Sequence, residues 1–304
     1  MKNHREFNVI IIGGSYAGLS AAMALGRSLR KVLVIDSGKP CNRQTPFSHN
    51  FITHDGETPS SISAEAKRQV LNYPTVTFIN ATVTAGTKNS EDALFEIRTS
   101  DNDNFKAAKL LFATGLNDIM PSIKGFSECW GITILHCPYC HGYEVRQEKT
   151  GIIGNGDYGF EMARLIHNWT VDSVLFTNGK SMLTKQQAQK LSDNHIEIIE
   201  GEIDSIEHTD GKIKYIILKD GSKHNLKALY ARPAFTQHSE LPAILGCELT
   251  EQGLIKIDDF QKTTVAGIFA AGDNSALARS LAISVAAGSF AGAFINKELI
   301  EENF

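Results

Sequence analysis

Two thiols three positions apart, bracketed by imidazoles, are the residues of this 304-residue chain best placed to do chemistry: His136-Cys137-Pro138-Tyr139-Cys140-His141. A C-x-x-C spacing lets two sulfurs reach disulfide distance, and it lowers one thiol's pKa where a helix begins at the pair. His141 follows the second sulfur directly, and an imidazole titrates near enough to neutral pH to move a proton there. The plainer reading of His141 is a surface or helix-capping histidine.

Four chemistries compete for such a pair. CPYCH also matches the C-x-x-C-H of haem attachment, but that attachment normally takes place outside the cytoplasm, and no apolar signal-like stretch opens the sequence. Zinc needs a second ligand pair, which Cys129 and the flanking histidines would supply only at a non-standard spacing. A glutaredoxin-like site carries the same four letters but needs a long helix behind them. Here only about ten residues separate Cys140 from the next strand-like run. A redox disulfide linked to a flavin accounts for the neighbouring motifs as well.

Those motifs are the elements that must position the sulfurs. Phe7 to Ile12 is an apolar, β-branched run followed at once by GGSYAG, a helical segment from Leu19 to Leu29, and a second strand from Val32 that ends on Asp36. Gly13, Gly14 and Gly18 allow a tight turn and close backbone approach to a pyrophosphate at the helix start. Ser15 takes the middle position of G-x-G-x-x-G, Ala17 completes the loop, and Asp36 stands where a carboxylate accepts ribose hydroxyls. The order recurs about 140 residues later. Thr150 to Ile153 enters Gly154-Asn155-Gly156-Asp157-Tyr158-Gly159, a helix spans Phe160 to Asn168, and Ser173 to Phe176 forms a second strand. Two further strands end in small or acidic residues: LLFATG, with Ala113, Thr114 and Gly115, and FAAGD, with Gly272 and Asp273.

Composition excludes several classes. A net charge of −4 points to neither nucleic acid nor a membrane surface. The most apolar segment, Leu281 to Ile295, is interrupted by serines and glycines and is shorter than the ~20 residues a span requires, so it reads as a buried helix. Five cysteines are too few and too scattered for a disulfide scaffold, and with no signal-like stretch the chain is expected to be cytoplasmic, with no metal expected in its site.

The order GGSYAG, ATG, C-x-x-C, GNGDYG, FAAGD resembles the low-molecular-weight thioredoxin reductases over essentially the whole chain, with the cysteines just before the second glycine loop. The resemblance implies an α/β fold of two Rossmann-like, three-layer dinucleotide-binding domains, the second inserted into the first. An FAD-binding domain would cover 1–115 and 243–304, and a pyridine-nucleotide-type domain carrying the C-x-x-C would cover 116–242. It implies one FAD per subunit, a homodimer, and a rotation that presents the cysteines alternately to flavin and substrate. In that family the GD aspartate, here Asp273, accepts a ribityl hydroxyl. Asn42 and Val83 fall at cofactor-facing positions, the backbone of Val83 towards adenine, and the helix from Ser280 points at the flavin. Cys140 would be the sulfur nearer the flavin and Cys137 the one that exchanges with substrate.

Three departures bear on function. His141 replaces the aspartate that usually follows the second cysteine. LFTNGK, ending on Lys180, replaces the arginines that clamp the 2′-phosphate of NADPH, and one ammonium substitutes poorly for guanidinium forks. Neither NADPH nor NADH is therefore well provided for, and GNGDYG reads equally as a retained turn. Leu281-Ala282 stands in place of an arginine–glutamine pair, making the flavin's surroundings more apolar. CPYCHGYE with the missing clamp is similar to the branch that includes the gliotoxin-type dithiol oxidases, in which a dithiol reduces the disulfide and oxygen finally takes the electrons. The expected function is thus flavin-dependent thiol–disulfide exchange with a thioredoxin-like protein or a small dithiol. Dithiol oxidation and a non-enzymatic redox-sensing flavoprotein are the alternatives.

Overall fold

The computed structural model describes residues 5–304, which form two compact units. The first comprises the residues up to Arg43, Pro59–Asn117 and Phe235–Phe304; the second comprises Gln44–Thr58 and Asp118–Ala234.

In the first unit, β1 (Glu6–Ile12), α1 (Tyr16–Arg27), β2 (Val32–Asp36), α2 (Pro59–Val70) and β3 (Val76–Asn80) wind a parallel sheet, and β4 (Val83–Lys88), β5 (Phe95–Thr99) and β6 (Asn104–Phe112) complete it. β1 and β2 are buried almost throughout, as unbroken Val/Ile runs must be when both sheet faces are covered. β7 (Leu116–Ile119) leads the chain out of this sheet.

The second unit runs through α3 (Phe126–Cys129), β8 (Ile134–Leu135), α4 (Pro138–His141), β9 (Thr150–Ile153), α5 (Gly156–Ile166), β10 (Ser173–Phe176), α6 (Lys185–Asp193) and β11 (Glu197–Ile199). It ends with β12 (Ile203–Thr209), β13 (Lys212–Leu218), β14 (Lys223–Asn225) and β15 (Ala228–Tyr230). Its five-stranded sheet has the order β11-β10-β9-β15-β8, beside a three-stranded β12-β13-β14 layer. β9, α5 and β10 repeat the β1, α1, β2 arrangement, with the parallel register Thr150↔Ser173 to Ile153↔Phe176.

The chain returns through β16 (Ala234–Gln237), which pairs with β7, then α7 (Leu241–Ile244), β17 (Ile268–Ala270) and α8 (Leu281–Glu301). The first sheet has the order β3-β2-β1-β6-β5-β4, with β17 joining β6 in parallel at Leu110 to Phe112.

α8 differs from the expectation of a buried helix. Gly288, Ala291, Gly292, Ile295 and Leu299 form one buried stripe, whereas Ile283, Phe290 and Ile300 are exposed. Its small residues serve contact with α1: a Cβ added at Gly288 would lie 2.0 Å from the Ala17 carbonyl oxygen. The two backbones touch along that stripe, while Phe294 packs against the same core and Glu298 accepts a hydrogen bond from Lys109 of β6. No helix among the described residues is long and apolar enough to cross a membrane.

Candidate active site

Cys137 and Cys140 are joined as a disulfide across the one-turn helix α4, with Cα atoms 5.3 Å apart, inside the range a disulfide spans. Cys137 is the extended residue before the helix and Pro138 opens it, where a missing N–H costs nothing. Tyr139, between the sulfurs, is exposed and stands edge-on to Trp169 at 5.4 Å. With Tyr158, Met162, Leu165 and Arg232 these rings line a groove of about 700 Å³.

The other cysteines take no part. Cys129 is buried beside Phe126 and Trp130, and burial pushes its thiol up to about 11. Cys247 is buried and Cys41 exposed, neither in a disulfide. Among the described residues no group of three or more His, Cys, Asp or Glu gathers to hold a metal.

His141 is neither a surface residue nor a cap. Both its ring nitrogens are buried without a hydrogen-bond partner. Burial pulls its pKa below the ordinary histidine value, Glu144 acts to raise it, and His49 acts to lower it. His49 comes from the segment 44–58, and its ring stands 6.5 Å from that of His141. Sequence reasoning missed this neighbour.

In the first unit, three separated motifs converge. A Cβ added at Gly13 would lie 2.2 Å from the Ala113 oxygen, and one added at Gly272 would lie 3.0 Å from the Ala17 Cβ. Asn274 is fully buried; its Nδ2 donates to the Phe112 carbonyl at 2.8 Å and to Thr114 Oγ1 at 3.3 Å, while its Oδ1 has no partner. The turn Gly13-Gly14-Ser15, the ATG strand end and the AGD strand end are thereby held together. Gly18 has a structural task, since its Cβ would lie 1.9 Å from the Gly13 oxygen. Ser15 precedes α1 in extended conformation with no side-chain cap.

The remaining candidates are placed as follows. Asp36 accepts the Gly14 N–H at 2.9 Å and the Gly38 N–H at 3.0 Å, so the loop itself fixes the carboxylate. Asp273 accepts from Arg279 Nε at 3.2 Å and from Ser284 Oγ at 3.4 Å. Asn42 donates to the Tyr16 hydroxyl, and Val83 packs in the cluster containing Ile35 and Ile79. Gly115 has open space at its Cβ direction. Leu281 and Ala282 begin α8 behind Ser280, whose side chain caps it. Asn274, Arg279 and Ser284 were not singled out from the sequence, although all follow the GD motif within about a dozen residues.

The second glycine loop is closed upon itself. Cβ atoms at Gly154 and Gly159 would come within 3 Å of each other's residue, so these glycines serve strand–helix packing. Asn155 accepts from Gly156 N and Met182 N and donates to the carbonyls of Thr177 and Lys180. Gln187 Nε2 donates to Asp157. The Lys180 side chain is left on an exposed loop.

A model of the pyridine nucleotide-disulphide oxidoreductase family matches residues 7–289. Thioredoxin reductase tcpT of Claviceps purpurea is 30% identical over 322 residues, covering 99% of this chain and 97% of its own. Thioredoxin reductase sirT of Leptosphaeria maculans is 29% identical, covering 95% and 93%. Among solved structures, an oxidoreductase from Agrobacterium tumefaciens is 35% identical with a TM-score of 0.91, covering 97% and 99%. HlmI is 30% identical with a TM-score of 0.93, covering 100% and 95%.

Proposed function

Because the chain belongs to the pyridine nucleotide-disulphide oxidoreductase family and is of thioredoxin-reductase type, we propose that it exchanges electrons between FAD and an external dithiol or disulfide through Cys137 and Cys140. The observation that carries this is the disulfide across α4, with His141 beside it as the proton-moving group. The substrate is a thioredoxin-like protein or a small dithiol, and the working form is a cytoplasmic homodimer, as the family resemblance implies.

The residues of the first unit fit FAD. The Gly13–Gly18 turn, free of Cβ atoms and of a side-chain cap, would hold the pyrophosphate, Asp36 the ribose, and Asp273 the ribityl chain. When bound, FAD supplies the two-electron acceptor or donor for the pair. The protein's own part is to hold the sulfurs at bonding distance, to keep His141 dry, and to fix Asp273 through Arg279 and Ser284. Asp273→Ala removes a charged acceptor, worth roughly 1.5–3 kcal/mol, so FAD retention is expected to weaken by roughly 10- to 100-fold. Equilibrium dialysis of the purified variant measures it. Retention equal to wild type would remove Asp273 from the cofactor site.

The segment LFTNGK, with Lys180 as its one cation in place of an arginine cluster, favours dithiol oxidation over NADPH-driven reduction. NADPH is expected to bleach the flavin slowly, at least about tenfold less effectively than a clamped site would allow, and with little preference over NADH. Anaerobic titration with NADPH and then with a dithiol decides between the readings. Fast bleaching at micromolar NADPH would establish an ordinary reductase.

A further inference from the structure

Around His141 stands a set of groups that disulfide exchange alone does not require. His49 Nε2 lies 3.6 Å from Glu144 Oε1, and His49 Nδ1 lies 3.8 Å from Asp55 Oδ1. The His49 ring meets that of His141 edge-on, at 88°. Glu144 also acts on Tyr230, whose hydroxyl is buried without a partner at the end of β15. Glu144 itself is 38% exposed, so the set opens to water at that carboxylate. A buried imidazole with both nitrogens unsatisfied is costly, and such groups concentrate where chemistry uses them.

We propose that His49 and Glu144, which face each other at 3.6 Å beside His141, are positioning residues that bias the protonation of His141 in opposite senses, making the segment 44–58 part of the surroundings that govern proton transfer at the cysteine pair. The proposal rests on the reading of Cys137–Cys140 as the working disulfide.

The step balances on the chain's own groups. An external dithiol gives up two electrons and two protons as its own S–S bond forms; the Cys137–Cys140 bond breaks and takes up the electron pair. One proton remains on a protein sulfur, and His141 accepts the other, leaving the second sulfur as a thiolate. The imidazolium beside that thiolate stabilises it. Glu144 favours the imidazolium, His49 opposes it, and the exposed carboxylate returns the proton to solvent. The reverse reaction uses the same path. The groups facing His141 are Glu144 beyond α4, His49 from the segment 44–58 and the disulfide itself; Tyr230 on β15 faces Glu144, and Asp55 faces His49.

The two neighbours predict shifts of opposite sign, which a merely structural role does not produce. In flavin-loaded, oxidised protein carrying ring-¹³C histidine, the His141 resonance is assigned by its loss in His141→Asn. Glu144→Gln should lower its titration midpoint and His49→Gln should raise it, each by roughly half a pH unit or more. The double variant should return close to wild type. In the reduced protein, the pH midpoint for iodoacetamide alkylation of the pair should move the other way, up for Glu144→Gln and down for His49→Gln. Shifts of the same sign, or unmoved midpoints in both, overturn the proposal. Melting temperatures are read alongside, and if His49→Gln does not fold, the downward shift in Glu144→Gln decides alone. Failure of the redox reading is visible separately, as alkylation of the pair without prior reduction.

Discussion

Replacing Cys140 with serine is expected to give a protein that captures an external thiol and cannot let it go. With the bonded pair across α4 acting as proposed, each sulfur resolves the other, so removing one leaves any mixed disulfide on its partner without an internal attacker. Cys137 is the sulfur the family resemblance assigns to substrate. On a Cys41→Ser background, which removes the exposed thiol outside the pair, Cys140→Ser should hold about one thionitrobenzoate per chain after reaction with an aromatic disulfide. Cys137→Ser should label much more slowly, and both variants should fall to roughly 1% or less of wild-type exchange. Absorbance of released thionitrobenzoate and intact mass report the outcome. Normal turnover in both variants would make the pair structural. Rapid stable labelling of Cys137→Ser instead would reverse the assignment of outer and inner sulfur.

Gly288→Val should be a strongly damaging substitution away from the cysteines. A Cβ there would lie 2.0 Å from the Ala17 carbonyl oxygen, a backbone atom that cannot rotate aside. α8 must therefore lift from α1, and with it the buried stripe through Leu299. Overpacking against fixed atoms costs roughly 3 kcal/mol, which for a unit of this size lowers the melting temperature by roughly 6–12 °C. Because Ala17 also meets the Gly272 turn, the variant should lose FAD along with stability. Ser289→Ala, one residue further on, is the control. A melting temperature within about two degrees of wild type and a retained yellow colour would show that the helices have room to separate.

Much of this architecture was legible beforehand, for identifiable reasons. Both βαβ units announce themselves through β-branched runs broken by glycine, and Val32 and Thr150 begin their strands where the sequence predicts. Helix starts were read three and four residues too late, at Leu19 and Phe160 against Tyr16 and Gly156, because a glycine-rich loop that runs straight into a helix looks like turn through the helix's first turn. The end of α8 was read too early, since its last turns, with Lys297 and Glu301 outside, lack an apolar signature. At the site, the cysteines and glycine motifs were visible because each is a local pattern. The approach of His49 to His141 has no local pattern, and neither has the bond from Asn274 to the end of β6. Such contacts are made by the fold, and only residue types that carry chemistry by themselves are conspicuous before it.

The place of β17 has a consequence for how the chain is born. It lies against β6, next to the first glycine turn, yet it leaves the ribosome about 150 residues after β7, roughly 10–30 s later at ordinary rates of synthesis. Over that interval the strand end at Leu110 to Phe112 lacks the neighbour that finishes it, and α1 lacks α8. The parallel strands β9, β10, β11 and β15 all emerge within Thr150–Tyr230, so their sheet closes while the first is still waiting. The inserted sheet that carries the thiols can thus close before β17 and α8 arrive to finish the sheet around it.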